Sequence, residues 1–122
     1  MEMIQEFIGI DWKYFILLLI IMGVDIVTGI MKAIKQGNLI TKTAWIGYAK
    51  KVGVFCIIIV ASVIDQILGL SGAMAYTTVL FYIATEGLSI VENLAELGVS
   101  MPKGILDKLK VIQDKSKEDK GA

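Results

Sequence analysis

The chain has 122 residues, of which 56% are apolar and 20% charged; that apolar share exceeds the half or less usual for soluble domains. Twelve lysines balance twelve acids, with no arginine and no histidine, so no global charge draws it to nucleic acid or another anionic surface. Cys56 is the only cysteine, which excludes an intramolecular disulfide and thiol-rich metal sites, and the lack of histidine removes the usual base of a hydrolase triad. No Gly-rich phosphate loop ending in Lys-Ser or Lys-Thr occurs, and no cofactor or metal is expected.

Charges concentrate in the first 13 residues, between Lys32 and Lys51, and beyond Glu92. The start, Met1-Glu2-Met3-Ile4-Gln5-Glu6, lacks the basic segment of a secretory leader, so the first apolar run is expected to remain as a membrane span. That run covers residues 14–31, about 18 residues and long enough for the hydrocarbon, with Trp12 and Tyr14 at its rim. Lys32, Lys35 and then Gly37-Asn38 favour a helix end and a turn. Residues 41–51 suit a short interfacial helix, because Trp45, Tyr48, Lys50 and Lys51 are of the types that settle at the headgroup level; a plain polar loop is the competing reading.

A second span is expected over 52–70, a tight turn at Gly69-Leu70-Ser71-Gly72, and a third span over 73–94. Pro102 is placed to start a helix. Ile105, Leu106, Leu109 and Ile112 then recur at helical spacing opposite Asp107, Lys108 and Lys110, giving an amphipathic helix over 102–115. Residues 116–122 offer nothing to bury and are expected to be disordered. The fold class is thus all-α, an integral membrane domain over 1–115 with three spans, an interfacial helix and a tail helix. The loop between the first two spans holds Lys32, Lys35, Lys42, Lys50 and Lys51 without an acid, and the tail holds six lysines, which puts both on the cytoplasmic side and the N-terminus outside.

Each span carries one acid away from its ends: Asp25, Asp65 and Glu86. An acid at mid-span costs about 2.5–3.5 kcal/mol on insertion scales, so each needs a reason. At 1.5 Å per residue, Asp25 and Glu86 lie about 10–15 Å from the lysine-rich boundary and Asp65 about 20 Å. Asp25, Thr28, Gly29 and Lys32 share one helix face; Tyr82, Glu86, Ser89 and Asn93 share another, and Ser62, Asp65 and Gly69 a third. Such stripes either satisfy one another inside a monomeric bundle, with the acids neutral, or face a neighbouring subunit or water. The second reading is favoured here, because three short helices hide little polar surface from lipid. It makes Asp25, Thr28, Gly29, Lys32, Asp65, Tyr82, Glu86, Ser89 and Asn93 candidates for subunit contacts or a pore lining, with Trp12, Trp45, Lys50 and Lys51 as interface anchors.

The segment Asp25-Ile26-Val27-Thr28-Gly29-Ile30-Met31-Lys32-Ala33 resembles the opening signature of a phage holin family. Lys50-Lys51, Asp65, the run Glu86-Gly87-Leu88-Ser89-Ile90-Val91-Glu92-Asn93, and Leu97-Gly98-Val99 followed by Pro102 resemble the same family in order and spacing. The family includes holins of phages of Gram-positive bacteria and clostridial holin-like proteins linked to toxin release. The resemblance implies a non-enzymatic protein of the bacterial cytoplasmic membrane that self-associates and opens timed lesions. Its partners are then the bilayer, other copies of itself, and an endolysin that it releases without direct contact. A small transporter with an intramembrane acid as its binding site and a small membrane lipid kinase are the alternatives; the kinase is disfavoured because only Glu92, Asn93 and Glu96 cluster near one surface.

Overall fold

A computed structural model describes residues 12–37 and 42–121. Four helices follow in order: α1 (Trp12–Gln36), α2 (Lys42–Leu68), α3 (Ala73–Glu96) and α4 (Lys103–Gly121). The all-α class and the three long apolar helices agree with the sequence. Trp12–Gln36, Ala44–Leu68 and Ala73–Glu96 are each long and apolar enough to cross a membrane, since 24 or 25 residues reach about 36 Å at 1.5 Å per residue against about 30 Å of hydrocarbon.

Two boundaries differ from expectation. Residues 42–51 do not form a separate interfacial helix but run unbroken into the second span. No proline separates Thr41 from Val52, so nothing there removes a donor from the helical hydrogen-bond ladder. The tail helix likewise continues past residue 115 to Gly121: the Lys and Glu residues after Lys115 are good helix formers, with no Gly or Pro before Gly121.

Glycines end α2 and α3 in the same way. Gly69 and Gly98 have φ of 65° and 90°, a left-handed conformation that costs a residue without Cβ little. Each lets the next amide turn back onto the helix: Leu70 N–H donates to the Asp65 carbonyl at 3.1 Å and Val99 N–H to the Leu94 carbonyl at 2.9 Å. These six-to-one bonds satisfy carbonyls that the helix end would orphan. The short α2–α3 turn makes those helices antiparallel neighbours.

α3 is the hub, packing against α1, α2 and α4, whereas α1 and α2 make little direct backbone contact. Leu18 and Met22 of α1, Val54 and Ile58 of α2, and Val79 of α3 form the apolar core. A smaller cluster of Ala61 and Ala75, with Trp12 against it, closes the end near the α2–α3 turn. The outer faces stay apolar and exposed, as at Ile16, Ile20, Val27 and Ile34 of α1 and Val52, Ile59, Val63 and Ile67 of α2; so large an apolar surface requires a covering medium. α4 folds back along α3, with Leu109 against Gly87 and the Lys115 ammonium 5.9 Å from the Tyr76 ring. A Cβ on Gly87 would lie 2.6 Å from Leu109 Cδ2, so glycine permits this close approach.

Candidate functional site: a polar cluster inside the bundle

On α1, Asp25 and Thr28 stand on the buried face with Leu18 and Met22, a row spaced by three or four residues that points all four side chains inward. On α3, Glu86 and Asn93 lie two turns apart on its buried face. The two stripes therefore meet inside the single chain. Asn93 Nδ2 donates to Asp25 Oδ1 at 3.1 Å and to Thr28 Oγ1 at 3.0 Å, and lies 3.4 Å from the Asp25 carbonyl oxygen. The Thr28 hydroxyl in turn donates to the Asp25 carbonyl at 3.1 Å.

The cation comes from α2. Lys51 Nζ lies 2.6 Å from Asp25 Oδ2 and 3.4 Å from Glu86 Oε2. Asp25 is only 3% exposed, and a carboxylate so buried requires a partner. Its two oxygens are divided between Lys51 and Asn93, while the single ammonium is shared with Glu86. One lysine thus ties all three spanning helices together. Among the described residues no buried side-chain polar atom lacks a hydrogen-bond partner, so the cluster is a satisfied network rather than a stranded charge.

By its type and its neighbour Lys50, Lys51 is expected at the membrane rim. The structure separates the two: Lys50 is exposed, whereas the Lys51 side chain is 23% exposed and turned inward. The signal existed in the sequence, because Lys51, Val54, Ile58, Ser62 and Asp65 recur every three or four residues and form the buried stripe of α2. Trp45 is 65% exposed. Trp12 is half-buried, stacked on Phe15 at 5.3 Å and packed against the core.

Gly29 and Ser89 border the cluster. A Cβ on Gly29 would sit 3.7 Å from Asn93 Nδ2, and Lys32 and Ser89 line the cleft beside it. Asp65 and Tyr82 are elsewhere. The Asp65 carboxylate accepts the Met74 amide at 2.8 Å and the Ala75 amide at 2.9 Å. It therefore caps the first turn of α3, where a negative charge meets orphan N–H groups and the positive end of the helix dipole. Tyr82 packs against the apolar core. Lys35, not singled out in the sequence, donates to the Glu96 carbonyl at 2.6 Å and pins the ends of α1 and α3 together. Among the described residues no group of three or more Cys, Asp or Glu side chains could hold a metal.

Three apolar helices closed on a buried ion-paired cluster define a small multi-pass membrane protein. The chain belongs to the bacteriophage holin family, whose family model matches residues 2–114. It is 50% identical to a probable holin of Bacillus phage phi105, over 83% of this chain and 75% of that protein. It is 46% identical to the uncharacterized protein YqxH of Bacillus subtilis, over 88% of this chain and 77% of the relative. An uncharacterized Clostridium perfringens protein, CPE0383, is 35% identical over 81% of this chain and 74% of its own length. No solved structure matches the chain.

Proposed function

We propose that this protein accumulates in the bacterial host's cytoplasmic membrane, self-associates, and at a set time opens lesions that release an endolysin without binding it. The role is non-enzymatic. The observation that carries the reading is the Lys51–Asp25–Glu86 ion pair set within three helices whose outer faces are apolar. Closed, the cluster hides its charges and leaves lipid-compatible faces outward. Opened, Asp25, Thr28, Lys32, Glu86, Ser89 and Asn93 become subunit contacts or the wall of an aqueous lesion. One element thus serves two arrangements, as a timed switch requires. Asp65 and Tyr82 take no part in this wall, because their contacts support α3 and the apolar core.

The N-terminus lies outside and the C-terminus inside, a reading supported by the lysines of the α1–α2 connection and of α4. That orientation makes α4 a helix with two seats. Alongside α3, Asp107, Lys108, Lys110 and Asp114 lie at the depth of a spanning helix, where each charge costs about 2.5–3.5 kcal/mol. In a bilayer α4 rests instead at the inner surface, its Leu106, Leu109 and Ile112 row in the headgroup region and its charges in water.

Purified protein added to vesicles loaded with a small dye and a large folded enzyme tests the function. The expected result is release of both after a delay. Passage of ions or dye alone would favour a transporter or narrow channel.

A further inference from the structure

Beside the polar cluster the helices leave a cleft. Its cavity volume is about 770 Å³, within the range of roughly 300–1,000 Å³ typical of small-molecule sites. Small residues create it: Gly29 and Ala33 on α1 face Ala44 and Gly47 on α2, and a Cβ added to Gly47 would meet nothing within 4 Å. Asn93 and the Lys51–Asp25 pair line its inner part, and Glu86, which shares Lys51, stands outside the lining. Towards the ends of the spans the lining adds Lys32, Lys50 and Tyr48, against the single acid Glu92. At this outer end two cations face one anion, a local excess of positive charge, and among the described residues neither Lys32 nor Lys50 makes an ion pair.

We propose that this cleft binds the phosphate-bearing headgroup of an anionic phospholipid. Lys32 and Lys50 would hold the phosphate, and Tyr48 and Asn93 offer polar atoms to the glycerol end. A lipid fits better than free phosphate because the cleft opens where the three spans end, the level of headgroups. Exposed Ile34, Trp45 and Ile46 lie on the same segments, an apolar border for acyl chains. The inference rests on the chain's place in a membrane and is independent of lesion formation and of which side faces the cytoplasm.

The test is the full chain in phosphatidylcholine vesicles containing a minority of spin-labelled phosphatidylglycerol or, in parallel, spin-labelled phosphatidylcholine. The motionally restricted fraction reports selectivity. The wild type is expected to prefer phosphatidylglycerol, and Lys32→Gln with Lys50→Gln to lose that preference, by roughly fivefold per lysine. Lys103→Gln with Lys110→Gln removes equal charge from α4 and should leave it intact. Gly47→Leu, which fills the cleft and keeps every charge, should also abolish it while circular dichroism shows unchanged helix content. Selectivity that survives in the Lys32/Lys50 variant, or falls equally in the Lys103/Lys110 control, would overturn the site. Displacement of the labelled lipid by millimolar inorganic phosphate would reassign it to soluble phosphate. Loss of selectivity in Gly47→Leu with marker release unaffected would support the lipid site apart from the holin reading, and selective binding by the wild type without release would sink only that reading.

Discussion

At the scale of single residues, Lys51 is one cation shared by two carboxylates contributed by different helices. Replacing it by methionine keeps the bulk of the stem and leaves Asp25 and Glu86 without their cation. Removing one partner of a buried pair costs about 3–5 kcal/mol, and the partly exposed lysine head places this case near the lower end. Thermal unfolding in detergent should show that loss. A double-mutant cycle with Asp25→Asn should show coupling of the two sites, and strict additivity would contradict a direct pair. In cells Lys51→Met should bring lysis forward at equal accumulation, because the closed arrangement is the one destabilised. Asp65 predicts a different phenotype. Asp65→Ala removes the cap on α3 and should cost about 1–2 kcal/mol, with faster hydrogen exchange at the Met74 and Ala75 amides; at matched accumulation, lysis timing should not move. A timing change as large as that of Lys51→Met would place Asp65 in the switch after all.

At the scale of elements, hydropathy and turn chemistry were readable in the sequence, and long-range pairing was not. The three apolar runs and the Gly69–Gly72 turn follow from local rules, since each depends only on residues a few positions apart. The continuity of residues 42–51 with α2 was missed because Trp, Tyr and Lys at a boundary suit a surface helix and the end of a span equally well. The polar stripes were also legible, but a stripe does not say what it faces. Asp25 meets Asn93 across 68 positions, and only packing decides that α3, the least apolar of the three spans, sits between the others. The tail adds a prediction of its own. With Cys56 replaced by serine, cysteines at positions 87 and 109 should cross-link readily in detergent, where α4 lies on α3. In a bilayer they should cross-link poorly, because α4 moves to the surface, and a cross-link formed beforehand should hold marker release back until it is reduced. Equal cross-linking in both media would contradict the two seats proposed for α4.

For the whole molecule, the architecture resolves the conflict that the composition poses. Acids inside apolar helices are costly singly, yet here Asp25 and Glu86 share a lysine and Asp65 caps a helix, so the closed chain carries these three acids without exposing them to lipid. In the proposed open arrangement Asp25 and Glu86 line water once the helices part. In the proposed function such a chain converts from harmless accumulation to sudden lesion formation. Inducible expression in bacteria beside a cytoplasmic cell-wall hydrolase tests it most directly, with viability and the release of a cytoplasmic enzyme followed over time. The account predicts continued growth, then an abrupt loss of viability with release of the enzyme, and an earlier onset with Lys51→Met; steady growth at full accumulation, or a slow leak that begins with expression, would contradict it.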